Sequence, residues 1–192
     1  MAAAHSYSAL PILLATVARV NPWRLYPAMA PALLTAFSTA SSSATLPLAL
    51  ECLEERAKVS PRIAGFVMPL GASMNHAGSA LYECAAAMFI AQAYGLHLPF
   101  GTQFTVVILA LVTSMGMAGI PAASLVGIAV ILAAVGLPAE AIGVLLVFDR
   151  ILDMCRTAIN VLADSACTVI VARLEGETGI LQGPEIAEKV AG

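Results

Sequence analysis

Hydrophobic residues gather into four long blocks along the chain, and the first three are interrupted near their middles. The first block runs from Ala28 to Leu53 and is broken by Ser41, Ser42, Ser43, Ala44, Thr45, Leu46 and Pro47. The second runs from Ile63 to Tyr94 and is broken over residues 73–79; the third runs from Phe104 to Val135 and is broken over residues 114–121. The fourth, from Ala139 to Val171, has no such break but carries polar positions at a helical period. Blocks this long and apolar predict helices in a bilayer. Backbone that leaves a helix at membrane depth is tolerated only where protein or a water-filled cavity satisfies its N–H and C=O groups. Three interruptions beside one polar helix therefore predict that all four blocks converge on a single site. The plainer alternative is that Gly, Ser and Ala at the breaks are ordinary helix-packing residues.

The polar positions of the fourth block are Asp149, Asp153, Arg156, Asn160 and Asp164, in the string FDRILDMCRTAINVLAD. Their spacing puts them on one helical face, with Thr157 beside them. Ile151, Leu152, Cys155, Ala158, Ile159 and Leu162 occupy the opposite face. A charged side chain at mid-bilayer costs roughly 2.5–3.5 kcal/mol on insertion scales. Such a stripe is therefore expected to face a cavity, a partner or a ligand.

Composition sharpens the picture. The 192 residues are 60% hydrophobic and 11% charged, with a mean hydropathy of +0.90, whereas soluble domains run about 25% charged. A multi-pass protein of the plasma or inner membrane is expected. The net charge of −3 argues against nucleic-acid binding. Between Arg62 and Asp149 there is no Lys or Arg, and only Glu83 and Glu140 carry charge. Cys52, Cys84, Cys155 and Cys167 have no ligand-type spacing and read as small packing residues. The apolar stretch Leu10–Val20 lacks a basic leader and is too short to span, so it is expected to end a longer helix.

Loop charges address topology. Arg19 and Arg24 precede the first block, Arg56, Lys58 and Arg62 follow it, and Arg173 follows the fourth. The loops near Gly95–Gly101 and Gly136–Glu140 have no Lys or Arg. If blocks one and three fold back as re-entrant hairpins, every basic loop lies on the cytoplasmic side. The expected fold class is thus an all-α membrane protein: an inverted-repeat core with two re-entrant helical hairpins and two interrupted transmembrane helices. Folds of this kind hold a solute and its coupling ions near the bilayer midplane.

The strings SSSATLP, PLGASMNHAGSALYE, SMGMAGIP and DRILDMCRTAINVLAD, in this order and spacing, resemble the dicarboxylate/amino acid:cation symporters, the glutamate-transporter-like family. The resemblance covers about Leu10 to Glu175. It implies the C-terminal part of such a protein, a transport core without most of its trimerising scaffold. The expected divisions are a partial helix and loop (1–27), a first hairpin and cytoplasmic loop (28–62), and a broken helix and outer loop (63–103). A second, gating hairpin (104–138), the polar helix (139–175) and a cytoplasmic tail (176–192) follow.

Chemistry and resemblance assign the site together. Arg156 offers a fork of donors suited to a carboxylate, and the matching family arginine holds the side-chain carboxylate of an acidic substrate. An ion pair with Asp153 or Asp149 is the other reading of Arg156. By resemblance Asp153 receives the substrate's ammonium, Thr157 and Asn160 add contacts, and Asp149 lies near the site. Ser42, with Ser41 and Ser43, matches the first hairpin tip; Gly119, Ile120 and Pro121 match the second. Ser79 keeps a hydroxyl where the family usually has Thr. Gly71 (through its carbonyl), Asn75, Asn160 and Asp164 match a Na+ site, and Ser73, Ser114 and Met115 a second, weaker one, partly through backbone carbonyls.

Departures matter too. The family's Asn-Met-Asp-Gly-Thr reads Asn75-His76-Ala77-Gly78-Ser79 here, so Ala77 removes a sodium-site carboxylate. Met117 replaces a Thr near another sodium site, and Ala122, Ala123 and Ser124 replace a more glycine-rich stretch. Tri-sodium coupling is therefore not carried over. His76 and Glu83, seven residues apart on one expected helical face, are proton-relay candidates; a hydrogen-bonded packing role is the alternative for His76. The expectation is a symporter of acidic amino acids or C4-dicarboxylates coupled to Na+ or H+. It is not an enzyme and has no cofactor; its partners are a small anionic substrate and the lipid bilayer, and the family is homotrimeric. A non-transporting fragment or membrane interaction partner of the same family is the alternative.

Overall fold

The computed structural model describes residues 10–116 and 119–182. Within these residues the chain is helical, with no strand. Met117 and the ends of the chain, residues 1–9 and 183–192, lie outside them. A first helical segment closes as a π-helix over Leu14–Ala18. Then come α1 (Leu25–Thr39), α2 (Ser42–Glu51), α3 (Pro61–Met74) and α4 (Ala77–Ala93). The last three are α5 (Phe100–Met115), α6 (Ala123–Ala134) and the 32-residue α7 (Gly143–Leu174).

The three sequence interruptions become helix breaks, each with a local cause. Ala40 ends α1 in the left-handed region (φ 52°), its N–H bonded to Ala36 O. Ser41 is extended, and its hydroxyl caps α2 by accepting from Ala44 N at 3.2 Å. The break is thus confined to residues 40–41. The polar run through Pro47 was expected to interrupt the block, but Ser42–Pro47 are helical because Ser41 has already supplied the cap. Between α3 and α4 the chain leaves the helix at Asn75 and His76. Between α5 and α6 it resumes at Ala122, again left-handed (φ 62°) and without a side-chain cap.

Among the described residues no helix is long and apolar enough to cross a membrane. The breaks divide the first three apolar blocks, leaving α4 as the longest piece at 17 residues. The helix with the length to cross, α7, carries the polar stripe.

Helix α7 organises the packing, touching α1, α2, α3 and α4, while α5 and α6 pack on α4. Ala28, Ala32 and Ala36 form a fully buried row on α1. They share a core with Val161, Ala166, Val169 and Ala172 of α7. In lipid, helices associate through close packing rather than hydrophobic burial, and a row of alanines permits that approach. A second core joins Ala86, Ala87 and Ile90 of α4, Val106 and Ala110 of α5, and Ile128, Ile131 and Leu132 of α6. The polar face of α7 meets the helix breaks alongside these two cores.

At the basic end, Arg173 Nε donates to Ala18 O and Arg24 Nη1 to Leu181 O, both at 3.0 Å. Leu181 N reaches Ala57 O at 3.1 Å. These bonds tie the segment after α7 to the chain on either side of α1 and α2.

Candidate functional site

The polar stripe is buried rather than splayed outward. Asp149, Asp153, Arg156, Thr157, Asn160 and Asp164 are all buried on α7. In contrast, Val147, Phe148 and Ile151 on the other face are exposed. The spacing read from the sequence thus identifies the inward face.

Arg156 Nη2 donates to Asp153 Oδ1, an ion pair buried on both sides. The guanidinium also lies over the Tyr82 ring, 4.5 Å from its centroid. Tyr82 Oη donates in turn to Asp149 Oδ1 at 2.8 Å. Arg156 is therefore oriented by a carboxylate and an aromatic face, and its Nη1 is buried with no partner among the described residues. Tyr82 escaped the sequence reading because a tyrosine inside an apolar run carries no periodic signal. Its distance of three positions from Ser79 on the same helix was the one available hint.

The two tips meet at this ion pair. Asp153 Oδ2 accepts from Ala122 N at 2.8 Å. Ser41 Oγ donates to Gly119 O at 2.7 Å, and Ser43 N donates to the same carbonyl at 3.3 Å. Gly119 must be glycine: a Cβ there would lie 2.2 Å from Ser42 Oγ and 2.9 Å from Ser43 Oγ. A partly open pocket lies between these groups. Ser42, Ser79, Ile120, Asp153, Arg156, Thr157 and Asn160 line it, as does His76. Every residue expected at the substrate is therefore gathered there.

Deeper along α7, Asn75 Nδ2 donates to Asp164 Oδ1 at 2.7 Å, and Gly71 lies directly against that carboxylate. Asn160 Oδ1 accepts from Gly78 N at 3.1 Å. Asp164 Oδ2 is buried without a partner among the described residues. A buried carboxylate oxygen left free in this way is a hard ligand of the kind a monovalent cation takes. Among the described residues no group of three or more His, Cys, Asp or Glu side chains is placed to hold a metal.

The second expected cation set is not joined by bonds. Ser73 is exposed and its hydroxyl donates to Pro69 O in its own helix, at 2.9 Å. Ser114 is buried and donates to Leu111 O at 3.0 Å, and Met115 is exposed. The expected pairing of His76 with Glu83 also dissolves. His76 precedes α4 with φ −108° and ψ 41°, which takes it out of the helical register, and it faces the pocket. Glu83 is fully buried elsewhere, accepting from Thr113 Oγ1 at 2.6 Å and lying against Gly127.

Comparison with known proteins identifies the family. The model of the sodium:dicarboxylate symporter family matches residues 1–174. A mouse protein named excitatory amino acid transporter 3 is 49% identical over 172 residues, covering 90% of this chain and 33% of that protein. A putative sodium-dependent excitatory amino acid transporter of Caenorhabditis elegans, glt-4, is 45% identical over 170 residues, 88% of this chain and 34% of its own length. Human excitatory amino acid transporter 1 is 46% identical over 170 residues, covering 88% of this chain and 31% of itself. The chain spans about a third of the length of the curated relatives it matches. The family consists of multi-pass membrane transporters, not enzymes. The chain belongs to the sodium:dicarboxylate symporter family.

Proposed function

We propose that this chain forms the transport core of a secondary active symporter for acidic amino acids or C4-dicarboxylates, driven by a sodium or proton gradient. The observation that carries the reading is the convergence of Arg156, Asp153 and both helix-break tips on one pocket. Arg156 takes the substrate's side-chain carboxylate, a group its planar fork matches. Asp153 takes the ammonium, while Ser42, Ser79, Ile120, Thr157 and Asn160 complete the contacts. A sodium ion binds among Gly71, Asn75, Asn160 and Asp164, and a weaker second one near Ser73, Ser114 and Met115. Glu83 and His76 serve as separate groups rather than as one relay.

In this reading α1–α2 and α5–α6 are re-entrant hairpins entering from opposite faces, α3–α4 is a broken spanning helix, and α7 is the polar spanning helix. The α5–α6 tip is the lid over the substrate. The core moves as an elevator against a trimerising scaffold supplied by other segments. The names of the relatives, which include the Caenorhabditis elegans protein named as a putative sodium-dependent excitatory amino acid transporter, support sodium and an acidic amino acid as the first choices.

Reconstitution in liposomes tests the reading. With an inward sodium gradient, labelled aspartate accumulates saturably, and dissipating the gradient abolishes accumulation. Uptake indifferent to both sodium and proton gradients would sink the symport assignment and favour a membrane-embedded partner without transport of its own. Current without saturation would indicate a pore.

A further inference from the structure

His76 stands where the family motif carries methionine, and it brings a hydrogen-bonding ring into the pocket wall. The residue sits in the α3–α4 break and is only 7% exposed. Its backbone is satisfied: the N–H donates to Met74 O at 3.2 Å and the carbonyl accepts from Ala80 N at 2.9 Å. The ring is not, for Nδ1 is buried with no hydrogen-bond partner among the described residues. Arg156, in the same pocket lining, also has a buried Nη1 with no partner among the described residues. Buried polar atoms are almost always paired in folded proteins, so two orphans lining one pocket point to a ligand group that pairs them. With hydrogen on Nδ1, the imidazole and the guanidinium are both donors that one acceptor oxygen group answers; a carboxylate answers them more strongly than an amide because its charge also pairs the guanidinium.

Resting on the transport reading above, we infer that His76 is a specificity-determining residue of the pocket. Its Nδ1–H donates to an oxygen of the same ligand carboxylate that Arg156 holds. The pocket thereby favours a carboxylate over an amide at that end more strongly than Arg156 alone achieves. This role needs no change in the ring's protonation, only the neutral tautomer with hydrogen on Nδ1. It also separates His76 from Glu83, which the pocket does not include.

Calorimetric binding to the purified full chain in sodium, with aspartate and asparagine as paired probes, tests the assignment. In His76→Leu the aspartate dissociation constant rises about tenfold, the equivalent of ~1.4 kcal/mol, while asparagine binding changes less than threefold. His76→Gln, which keeps a donor, recovers most of the preference. Because the readout is a ratio of two ligands on one sample, it concerns folded protein only, and His76→Gln supplies a second, milder variant. An unchanged aspartate-to-asparagine ratio in both variants overturns the role of His76. If Arg156→Ala still loses aspartate in that case, the transport reading stands and the His76 assignment alone falls. Failure of the unaltered chain to bind aspartate sinks both.

Discussion

The two helix-break tips are built on opposite plans. The first, between α1 and α2, satisfies itself. Ala40 N closes on Ala36 O, Ser41 caps α2, and Thr45 Oγ1 donates back to Ser41 O at 2.8 Å. Thr39 Oγ1 seals the end of α1 on Thr35 O, also at 2.8 Å. The second tip, between α5 and α6, borrows its bonds. Ala122 has no side-chain cap, and its N–H is held by Asp153 of α7. The Gly119 carbonyl is held by Ser41 and Ser43 of the first tip. A segment that depends on partners across the pocket can be released by changing those partners, whereas a self-capped one stays put. This contrast is the physical basis for assigning the lid to the second tip.

The largest break in the comparison comes from Asp153→Asn. It removes the anion that pairs Arg156 and weakens the anchor of Ala122 N, leaving a buried guanidinium without a counter-charge. Losing one partner of a buried pair costs about 3–5 kcal/mol. The thermal midpoint of the purified chain should fall, and added protease should cut near residues 116–122 much faster than near residues 40–41. Equal cutting at both tips would remove the distinction between them.

A smaller effect follows from Ser41→Ala. The α2 cap is lost, at about 0.5–2 kcal/mol, and the Gly119 carbonyl loses its strongest donor. Because Thr45 and Ala40 still brace the first tip, hydrogen exchange should increase more around Gly119 than around Ala44. Faster exchange confined to the first tip would contradict the borrowed-bond account.

Ala122→Gly should have the smallest effect. Alanine at φ 62° carries a left-handed penalty of about 1 kcal/mol that glycine does not. The variant should therefore be slightly more stable with the second tip closed, seen as a small rise in melting midpoint. A fall in the midpoint would mean that the added backbone freedom outweighs the relieved strain.

Much of this was legible in the sequence, for physical reasons. The α7 stripe could be read because helical spacing alone separates its buried polar face from exposed Val147 and Ile151. The three breaks could be read because Ser, Gly and Pro are costly in the middle of an apolar helix unless something satisfies the backbone. Other features arise only when distant elements meet. Tyr82 beneath Arg156 is one, because it depends on how α4 is rotated against α7. The narrowness of the first break is another: Pro47 suggested a longer interruption, but the cap comes from Ser41, six positions earlier. The Ser73 hydroxyl turns back onto Pro69 O of its own helix, an outlet open to any helical serine. By spacing His76 and Glu83 share one helical face, but His76 precedes α4 and lines the pocket, whereas Glu83 accepts from Thr113.

Arg156 is the residue on which the whole account turns, and uptake by Arg156→Ala in liposomes with an inward sodium gradient tests it most directly. Labelled aspartate uptake should fall at least thirtyfold, in line with the roughly 2–5 kcal/mol lost when one side of a buried charge pair is truncated, while some uptake of neutral amino acids persists. Aspartate uptake at the rate of the unaltered chain would contradict the account.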